Sequence, residues 1–146
     1  MSDFRRLSAT VFASPQIGLD DVAEAARLGI GLIVNNRPED EAADQTPGPA
    51  IEQAARAAGL GYVAIPVTHA GFSAPQVAAM RAALDEAGER PVLAYCRSGT
   101  RSTLLWALAE AQAGASPDAL AAAAASAGYD LRPIRAVLDA LSAGAH

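Results

Sequence analysis

Short apolar segments that are typical of buried strands alternate along this chain with longer segments that are typical of helices. Four strands are predicted, at Leu7–Phe12, Ile30–Val34, Tyr62–Val67 and Pro91–Tyr95. A connection through a helix between neighbouring strands is right-handed and makes those strands parallel. The alternation therefore predicts an α/β fold, in which a mostly parallel central sheet of about four or five strands is flanked by helices on both faces.

The helices are predicted from amphipathic spacing and from capping residues at their ends. Ser73 and Gln76 have the spacing of a capping box, and Ser116-Pro117 is a strong helix start. The predicted helices are Leu19–Leu28, Pro49–Ala58, Val77–Ala87, Ser102–Ala113, 117–125 and Asp130–Leu141. The segment Asn35–Gly48 is polar, acidic and contains proline, which predicts a loop.

With 146 residues, the chain is long enough to bury its own core and is expected to form one domain over residues 1–146. No apolar stretch reaches the length of a membrane span, and Met1–Arg6 lacks the apolar core of a signal peptide. These features predict a cytoplasmic protein that does not bind membranes. The formal net charge of −5 and the absence of a basic run argue against nucleic-acid binding, because phosphate neutralisation dominates that affinity.

Cysteine, histidine and lysine are scarce or absent, and this limits the chemistry of the chain. The single cysteine, Cys96, excludes an internal disulfide and any CxxC metal or redox pair. Two histidines, His69 and His146, are too few for an evident metal site. All basic residues are arginines, so a lysine Schiff base and a Walker-type phosphate lysine are excluded. The sequence predicts a reaction that needs no metal and no organic cofactor.

The only cysteine follows a predicted strand and begins a short polar loop before the helix predicted from Ser102. The loop consists of Cys96, Arg97, Ser98, Gly99, Thr100 and Arg101. Backbone N–H groups of such a loop converge on one point, and the helix dipole adds positive potential there. Cys96 is therefore predicted to be a reactive thiolate nucleophile at an oxyanion-binding site. The alternative, an inert core cysteine, fits poorly with the polar loop.

The spacing between Cys96 and Arg101 separates two classes of enzyme. The Cys-x4-Arg segment within Tyr95–Ser102 closely resembles the active-site loop of rhodanese-type sulfurtransferases, in which the cysteine carries a persulfide. Cysteine-dependent phosphatases have a similar loop that is one residue longer, usually with histidine where this chain has Tyr95. A shorter loop makes a tighter anion pocket, which a sulfur atom fits more readily than a tetrahedral phosphoryl group.

The whole chain resembles a small bacterial family, the phosphatase-like domain of beta-lactamase-like hydrolases, whose members are also described as sulfurtransferases. The residues that carry the resemblance are Ile33–Pro38, Ile65–Val67 and Ala94–Ser102. The resemblance implies a three-layer fold like that of protein tyrosine phosphatases. It also implies a link to sulfide and persulfide metabolism, because the domain can be fused to persulfide-handling metallohydrolases. Such a metallohydrolase is a candidate partner.

Phosphatases of this fold carry a general acid, an aspartate, on the loop after the strand that precedes the nucleophile strand. The corresponding loop of this chain is Thr68–Ser73, and it has no aspartate. By location, His69 is the remaining candidate acid or base. Without a proton donor, the leaving alkoxide of a phosphoester is poorly stabilised, and general-acid help is worth about two to four orders of magnitude. The expected fold thus resembles that of a phosphatase, whereas the cysteine loop resembles that of a rhodanese.

Arg101 is predicted to hold an oxyanion through a bidentate contact and to form, with Cys96, the catalytic pair. Gly99 is predicted to turn a backbone N–H inward. Ser102 either donates to the cysteine sulfur or caps the helix, and Arg97 either recruits an anionic substrate or lies in solvent. The predicted substrate-binding residues are Arg97, Ser98, Gly99, Thr100, Ser102, Arg37 and His69.

Arg37 and the acidic run beside it lie outside the cysteine loop. Arg37 can pair with Glu39–Glu41, so a structural role or a secondary anion contact is predicted rather than a catalytic one. The acidic run itself is predicted to be solvated. Trp106, Leu104, Leu105 and Leu108 are predicted to pack in the core rather than to contact substrate.

Three functions are compatible with these features. The first is a sulfurtransferase, in which Cys96 takes sulfane sulfur from thiosulfate or a small persulfide and passes it to a thiol acceptor. The alternative is a cysteine-dependent phosphatase that acts on a phosphate ester through a phosphocysteine. A second alternative is a non-catalytic persulfide carrier or sensor that passes sulfur to a partner protein. The sequence favours the first because of the loop length and the missing aspartate.

Overall fold

The computed structural model describes residues 2–145, and the strands lie in a single sheet. The strands are β1 (Arg5–Arg6), β2 (Val11–Ser14), β3 (Leu32–Asn35), β4 (Gly61–Ala64) and β5 (Val92–Tyr95). The helices are α1 (Leu19–Arg27), α2 (Gly48–Ala57), α3 (Ala74–Ala87), α4 (Thr100–Gln112), α5 (Pro117–Ser126) and α6 (Arg135–Gly144), with a 3-10 turn at Arg132–Ile134. Met1 and His146, which enter the predictions above, lie outside the described residues.

The strand order places β5 at the centre of the sheet. The order is β1-β2-β5-β3-β4, and β2, β5, β3 and β4 are parallel. Tyr95, the last residue of β5, pairs with Ser14 of β2 on one side and with Asn35 of β3 on the other. The carboxyl ends of the parallel strands therefore lie at one edge, and the residue after Tyr95 is at its middle.

Helices cover both faces of the sheet. Leu93 and Tyr95 belong to the core that α1 and α2 cover, whereas Val92 and Ala94 belong to the core formed with α3, α4, α5 and α6. Because successive strand residues face opposite sides, β5 is apolar throughout. The predicted fold class, an α/β sheet covered on both faces, is confirmed. None of the helices between residues 2 and 145 has the length and apolar character that a bilayer crossing requires.

The predicted capping box is present at the start of α3. The Ser73 hydroxyl accepts from Gln76 N–H at 3.5 Å, and the Gln76 side-chain oxygen accepts from Ser73 N–H at 2.8 Å. The Gln76 side chain also donates to the Pro66 carbonyl at 2.9 Å. The helix begins at Ala74, three residues before the predicted start, because the capping residue fixes where it begins.

Several predicted elements begin or end a few residues from the observed ones, the strand predicted at Tyr62–Val67 being β4 at Gly61–Ala64, and two others are interrupted in the structure. The single strand predicted at Leu7–Phe12 is wrong at its start: a turn connects β1 to β2 there, and Leu7 N–H donates to the Val11 carbonyl at 2.8 Å. The Ser8 hydroxyl stabilises this turn by accepting from Val11 N–H at 3.0 Å. The helix predicted at Asp130–Leu141 is divided into the 3-10 turn and α6, because Pro133 lacks the N–H that a continuous helix requires.

Candidate active site

Cys96 lies directly after β5, at the middle of the carboxyl edge of the sheet. Its backbone N–H donates to the Ser14 carbonyl at 3.3 Å, which extends the pairing of β2 and β5 by one residue. Its side chain is fully buried. The sulfur is therefore at the base of the loop rather than on its rim, and only a substrate group that enters the loop can reach it.

The peptide between Ser98 and Gly99 directs its N–H at the cysteine. Gly99 N–H donates to Cys96 Sγ at 3.1 Å. Gly99 has a φ of +92°, a left-handed conformation that residues with a side chain avoid. Thr103 holds the following peptide, because its N–H and its hydroxyl both donate to the Gly99 carbonyl, at 3.0 and 2.8 Å. The inward N–H that the sequence predicts is thus present, and Gly99 supplies it.

The other side chains of the loop are either exposed or deeply buried. Arg97, Ser98 and Thr100 are exposed, and the Ser98 hydroxyl donates to Thr100 Oγ1 at 2.9 Å. Ser102 is fully buried, and within residues 2–145 its hydroxyl has no hydrogen-bond partner. Neither predicted role of Ser102, a bond to the sulfur or a helix cap, is present. The helix cap is absent because α4 begins at Thr100, two residues earlier than predicted, so that Gly99 occupies the cap position.

Arg101 is held by residues from two other loops. Its Nη1 donates to Glu41 Oε2 at 2.8 Å and to the Val67 carbonyl at 2.7 Å, and its Nη2 donates to Glu41 Oε1 at 2.7 Å. The pKa of Arg101 is raised, first by its hydrogen bond to Glu41 and also by its interaction with Cys96, against the opposing effect of burial. Loops that follow β3 and β4 therefore meet the cysteine loop at Arg101, as the parallel sheet predicts.

Arg37 contacts the same carboxylate from another direction. Its Nε donates to Glu41 Oε1 at 2.9 Å, and its Nη1 donates to Gln16 Oε1 at 3.0 Å. Gln16 N–H in turn donates to the Arg97 carbonyl at 3.1 Å. Arg37 is buried, with only 5% of its surface exposed. The predicted pairing with the acidic run is present, and Arg37 is linked to the cysteine loop through Glu41 and Gln16.

Glu41 is a site residue that the sequence analysis missed. The acidic run is predicted to be solvated, but the Glu41 side chain is 15% exposed and lies between two guanidinium groups. Hydrogen bonds from Arg101 and then Arg37 lower the pKa of Glu41 from 4.5 to about 2, against the opposing effect of burial. The prediction of a solvated run is therefore wrong for Glu41. The spacing of four residues between Arg37 and Glu41 is the only local signal of this pair.

Few side chains of this site are able to donate a proton to a leaving group. His69 is exposed in the turn after β4, and among the described residues it makes no hydrogen bond. Two residues earlier, the Val67 carbonyl accepts from Arg101, and the role of His69 as an acid or base stays a prediction. Glu41 is ionised at neutral pH, and its pKa of about 2 keeps it ionised in mild acid as well. Burial raises the pKa of Tyr95, which is fully buried at the end of β5, so its hydroxyl stays protonated and away from substrate.

The arrangement is suited to an anion with an electrophilic centre. The start of α4, the Gly99 N–H and the Arg101 guanidinium provide positive potential around Cys96. The part of the chain that the structure describes contains no group of three or more side chains that could hold a metal ion. The site can supply the Cys96 sulfur as a nucleophile and hydrogen bonds to an oxyanion.

Comparison with known sequences identifies relatives. The family described as beta-lactamase hydrolase-like protein, phosphatase-like domain, matches residues 3–115. A beta-lactamase hydrolase-like protein of Xylella fastidiosa is 37% identical over 97 residues, which are 66% of this chain and 22% of that protein. The chain spans 22% to 24% of the length of the curated relatives that it matches.

Comparison with solved structures identifies the fold. A Neisseria meningitidis protein, provisionally described as a phosphatase, has a TM-score of 0.82 and 35% identity, covering 97% of this chain and 99% of that chain. P. aeruginosa TpbA, solved in complex with phosphotyrosine, has a TM-score of 0.68 and 21% identity, covering 98% of this chain and 90% of that chain. At 21% identity, the likeness to TpbA shows the fold alone. The fold is that of the protein tyrosine phosphatases, as the resemblance implies.

Proposed function

The chain belongs to the family of the phosphatase-like domain of beta-lactamase hydrolase-like proteins, and from this premise we propose that it hydrolyses phosphate monoesters through Cys96. The comparisons favour this reaction over the sulfur transfer that the sequence ranks first, because the similar solved proteins are described as phosphatases. The observation that carries the proposal is the 3.1 Å hydrogen bond from Gly99 N–H to Cys96 Sγ at the start of α4. It brings a nucleophile and an anion-binding site to one point.

The proposed reaction has two steps. In the first, the Cys96 thiolate attacks phosphorus, a sulfur–phosphorus bond forms, and the ester oxygen leaves with the electron pair of the broken bond. The N–H groups at the start of α4 and the Arg101 guanidinium stabilise the charge on the phosphoryl oxygens. In the second step, water attacks the phosphocysteine, which releases inorganic phosphate and restores the thiolate.

The substrates proposed are esters whose alcohol leaves without a proton. The described residues place no protonated carboxylic acid beside Cys96, since Glu41 is ionised. A phenol is a far better leaving group than an alkyl alcohol under these conditions. We therefore propose aryl phosphates, the class that includes phosphotyrosine. We expect alkyl phosphates to react slower by about two to four orders of magnitude, the usual contribution of a general acid.

A second candidate function is sulfur transfer, and the same absence of a proton donor favours it. When the Cys96 thiolate attacks the sulfane sulfur of thiosulfate, a new sulfur–sulfur bond forms and sulfite leaves with the bonding electron pair. Sulfite is a stable anion and needs no proton. An acceptor thiol then attacks the outer sulfur and restores the thiolate. The short Cys-x4-Arg loop also favours this reaction, and a persulfide-handling metallohydrolase is its candidate partner.

A persulfide carrier or sensor would share only the first half of that reaction. It would accumulate the Cys96 persulfide and release sulfur slowly to small thiols. Fast multiple turnover with thiosulfate and a small thiol would therefore exclude a carrier. Slow turnover with a stable adduct would exclude a sulfurtransferase.

Intact mass spectrometry distinguishes these reactions in one experiment. Wild type and Cys96→Ser are incubated briefly with an aryl phosphate or with thiosulfate, and the masses are measured after rapid acid quenching. A phosphocysteine adds about 80 Da, and a persulfide adds about 32 Da. For a phosphatase we expect the first adduct only, in wild type only, together with steady release of phosphate.

Other results of the same experiment would contradict the proposed phosphatase reaction. An adduct of one sulfur atom in wild type, without phosphate release from the aryl ester, would replace the first proposal by the second. Steady-state activity of Cys96→Ser near that of wild type would contradict both, because each reaction requires the thiolate.

A further inference from the structure

Tyr129 contacts the cysteine loop from the C-terminal part of the chain. It lies between α5 and the 3-10 turn, beyond residues 3–115 that the family matches. Its hydroxyl donates to the Ser98 carbonyl at 3.1 Å, and its side chain is buried. A Cβ atom on Gly99 would overlap this hydroxyl. Tyr129 therefore packs directly on the peptide between Ser98 and Gly99.

The two ends of this peptide have different partners. The Ser98 carbonyl and the Gly99 N–H belong to one trans peptide group, so they point in opposite directions. The carbonyl accepts from Tyr129, and the N–H donates to Cys96 Sγ. A continuous chain of hydrogen bonds therefore runs from the tyrosine hydroxyl through the peptide to the sulfur. In such a chain, each hydrogen bond polarises the next and strengthens it.

We propose that Tyr129 is a positioning residue, which fixes the orientation of the Ser98–Gly99 peptide so that its N–H faces the Cys96 sulfur. Tyr129 acts through the peptide and does not touch substrate. The inference rests on the proposed role of Cys96 as the nucleophile.

The peptide needs such a restraint because of its glycine. Glycine has access to both signs of φ, so this peptide could rotate and direct its carbonyl oxygen at the thiolate. That orientation would place a negative dipole end against a negative charge. With Tyr129 in place, the rotation would also break the bond from its hydroxyl to the Ser98 carbonyl. The hydroxyl therefore favours the orientation that stabilises the thiolate.

Tyr129 is itself held in position by residues from the other end of the chain. The Arg5 guanidinium lies 5.1 Å from the centre of the Tyr129 ring, and Arg5 Nη1 donates to the Ala127 carbonyl at 3.4 Å. Burial raises the pKa of Tyr129, so that its hydroxyl keeps its proton and continues to donate. The start of the sheet and the end of α5 thus converge behind the cysteine loop.

The test replaces Tyr129→Phe, which removes the hydroxyl and keeps the ring against Arg5. The control is Tyr62→Phe, which removes a half-buried hydroxyl that accepts from Asn35 Nδ2 at 2.9 Å outside the loop. Two quantities are measured on the folded full chain. The first is the NMR chemical shift of the Gly99 amide proton, which needs no substrate. The second is kcat and KM with the aryl phosphate or with thiosulfate, whichever the wild type turns over.

We expect Tyr129→Phe to move the Gly99 amide proton upfield and to lower kcat about three- to tenfold, with KM changed less than about twofold. Tyr62→Phe should leave the Gly99 shift and kcat unchanged. An unchanged Gly99 shift in Tyr129→Phe would overturn the inference, as would an equal shift in the control. If the wild type turns over neither substrate, the proposed function fails, and the chemical shift still decides the role of Tyr129.

Discussion

Glu41 binds Arg101 through both of its carboxylate oxygens, at 2.8 Å from Nη1 and 2.7 Å from Nη2. The two residues are 60 positions apart in the sequence; Glu41 lies in the loop after β3 and Arg101 in the first turn of α4. A bidentate pair of this kind fixes the plane of the guanidinium as well as its position. The arginine beside the nucleophile is thereby held in place before any substrate arrives.

The same carboxylate also determines the charge of the site. Glu41 contacts both Arg37 and Arg101, so one negative charge is shared by two guanidinium groups. The net positive charge that remains is available to an anionic substrate at the start of α4. Since its pKa is about 2, Glu41 keeps this role throughout the neutral and mildly acidic range.

Stability should depend on pH through Glu41. Its pKa falls from 4.5 to about 2 in the folded protein, so its contribution is fully present above pH 4.5 and is lost as the pH falls toward 2. The shift corresponds to at most about 3 kcal/mol of unfolding free energy. We expect Glu41→Gln to lower the unfolding free energy by about 1–3 kcal/mol at neutral pH and by much less at the acid end of this range. Urea unfolding at several pH values measures both.

Glu52→Gln is the matched control for this prediction. Glu52 also pairs with an arginine, Arg56 at 2.8 Å, but both side chains are exposed. Exposed ion pairs contribute little, so the control should change the unfolding free energy by less than about 1 kcal/mol. Equal losses in the two variants, or a loss in Glu41→Gln that does not depend on pH, would show that the carboxylate of Glu41 is not specially stabilised.

Arg101→Lys should lower kcat/KM by about two orders of magnitude, because lysine keeps the charge but cannot reproduce the planar contact with an oxyanion. Lysine also cannot keep both bonds to Glu41 together with the bond to the Val67 carbonyl. The measurement is steady-state kinetics with the substrate that the wild type turns over.

Arg81→Lys is a matched control, since Arg81 likewise bonds to carboxylates and to a backbone carbonyl. Its partners are Asp85, Glu110 and the Ala109 carbonyl, all on α3 and α4 away from the cysteine loop. We expect kcat/KM of this variant to stay within about twofold of wild type. A loss equal to that of Arg101→Lys would mean that the effect reflects stability and not the site.

The parts of the fold that follow from local pattern could be predicted from the sequence. Strand β5 is a short apolar run between a glycine-terminated helix and a polar loop, and these local features are sufficient to place Cys96. The β1–β2 turn was not predictable in this way, because an alternating pattern also occurs where Ser8 closes a turn. The spacing of apolar residues indicates which residues are buried, but it does not indicate where the chain reverses direction.

The contacts that complete the site could not be predicted, because they join distant parts of the chain. In the sequence, Glu41 is one of several acidic residues in a predicted loop. Only the folded chain brings Arg101 beside it. Tyr129 follows an alanine-rich helix, and its bond to Ser98 joins residues 31 positions apart. The strand order that produces these contacts depends on the packing of the whole sheet.

Gly99→Ala should destabilise the protein and lower its activity. Alanine is strained at a φ of +92°, and its Cβ would overlap the Tyr129 hydroxyl and lie 3.3 Å from the Ser14 carbonyl carbon. The overlap displaces either the Tyr129 hydroxyl or the Ser98–Gly99 peptide, and either displacement disturbs the hydrogen bonds that direct the Gly99 N–H at the Cys96 sulfur. We expect a fall in kcat of about tenfold or more, together with a loss of about 2–4 kcal/mol in unfolding free energy.

Gly29→Ala is the control that separates the effect of backbone strain from the effect of atomic overlap. Gly29 has a similar φ of +84°, but a Cβ there would have no atom within 4 Å. This variant should lose about 1 kcal/mol of unfolding free energy, from backbone strain alone, and should keep its kcat. Denaturant unfolding and steady-state kinetics on both variants give the comparison. If Gly99→Ala costs no more than Gly29→Ala and stays active, the peptide before Gly99 is not held by Tyr129 and Ser14, and its N–H is not needed at the sulfur.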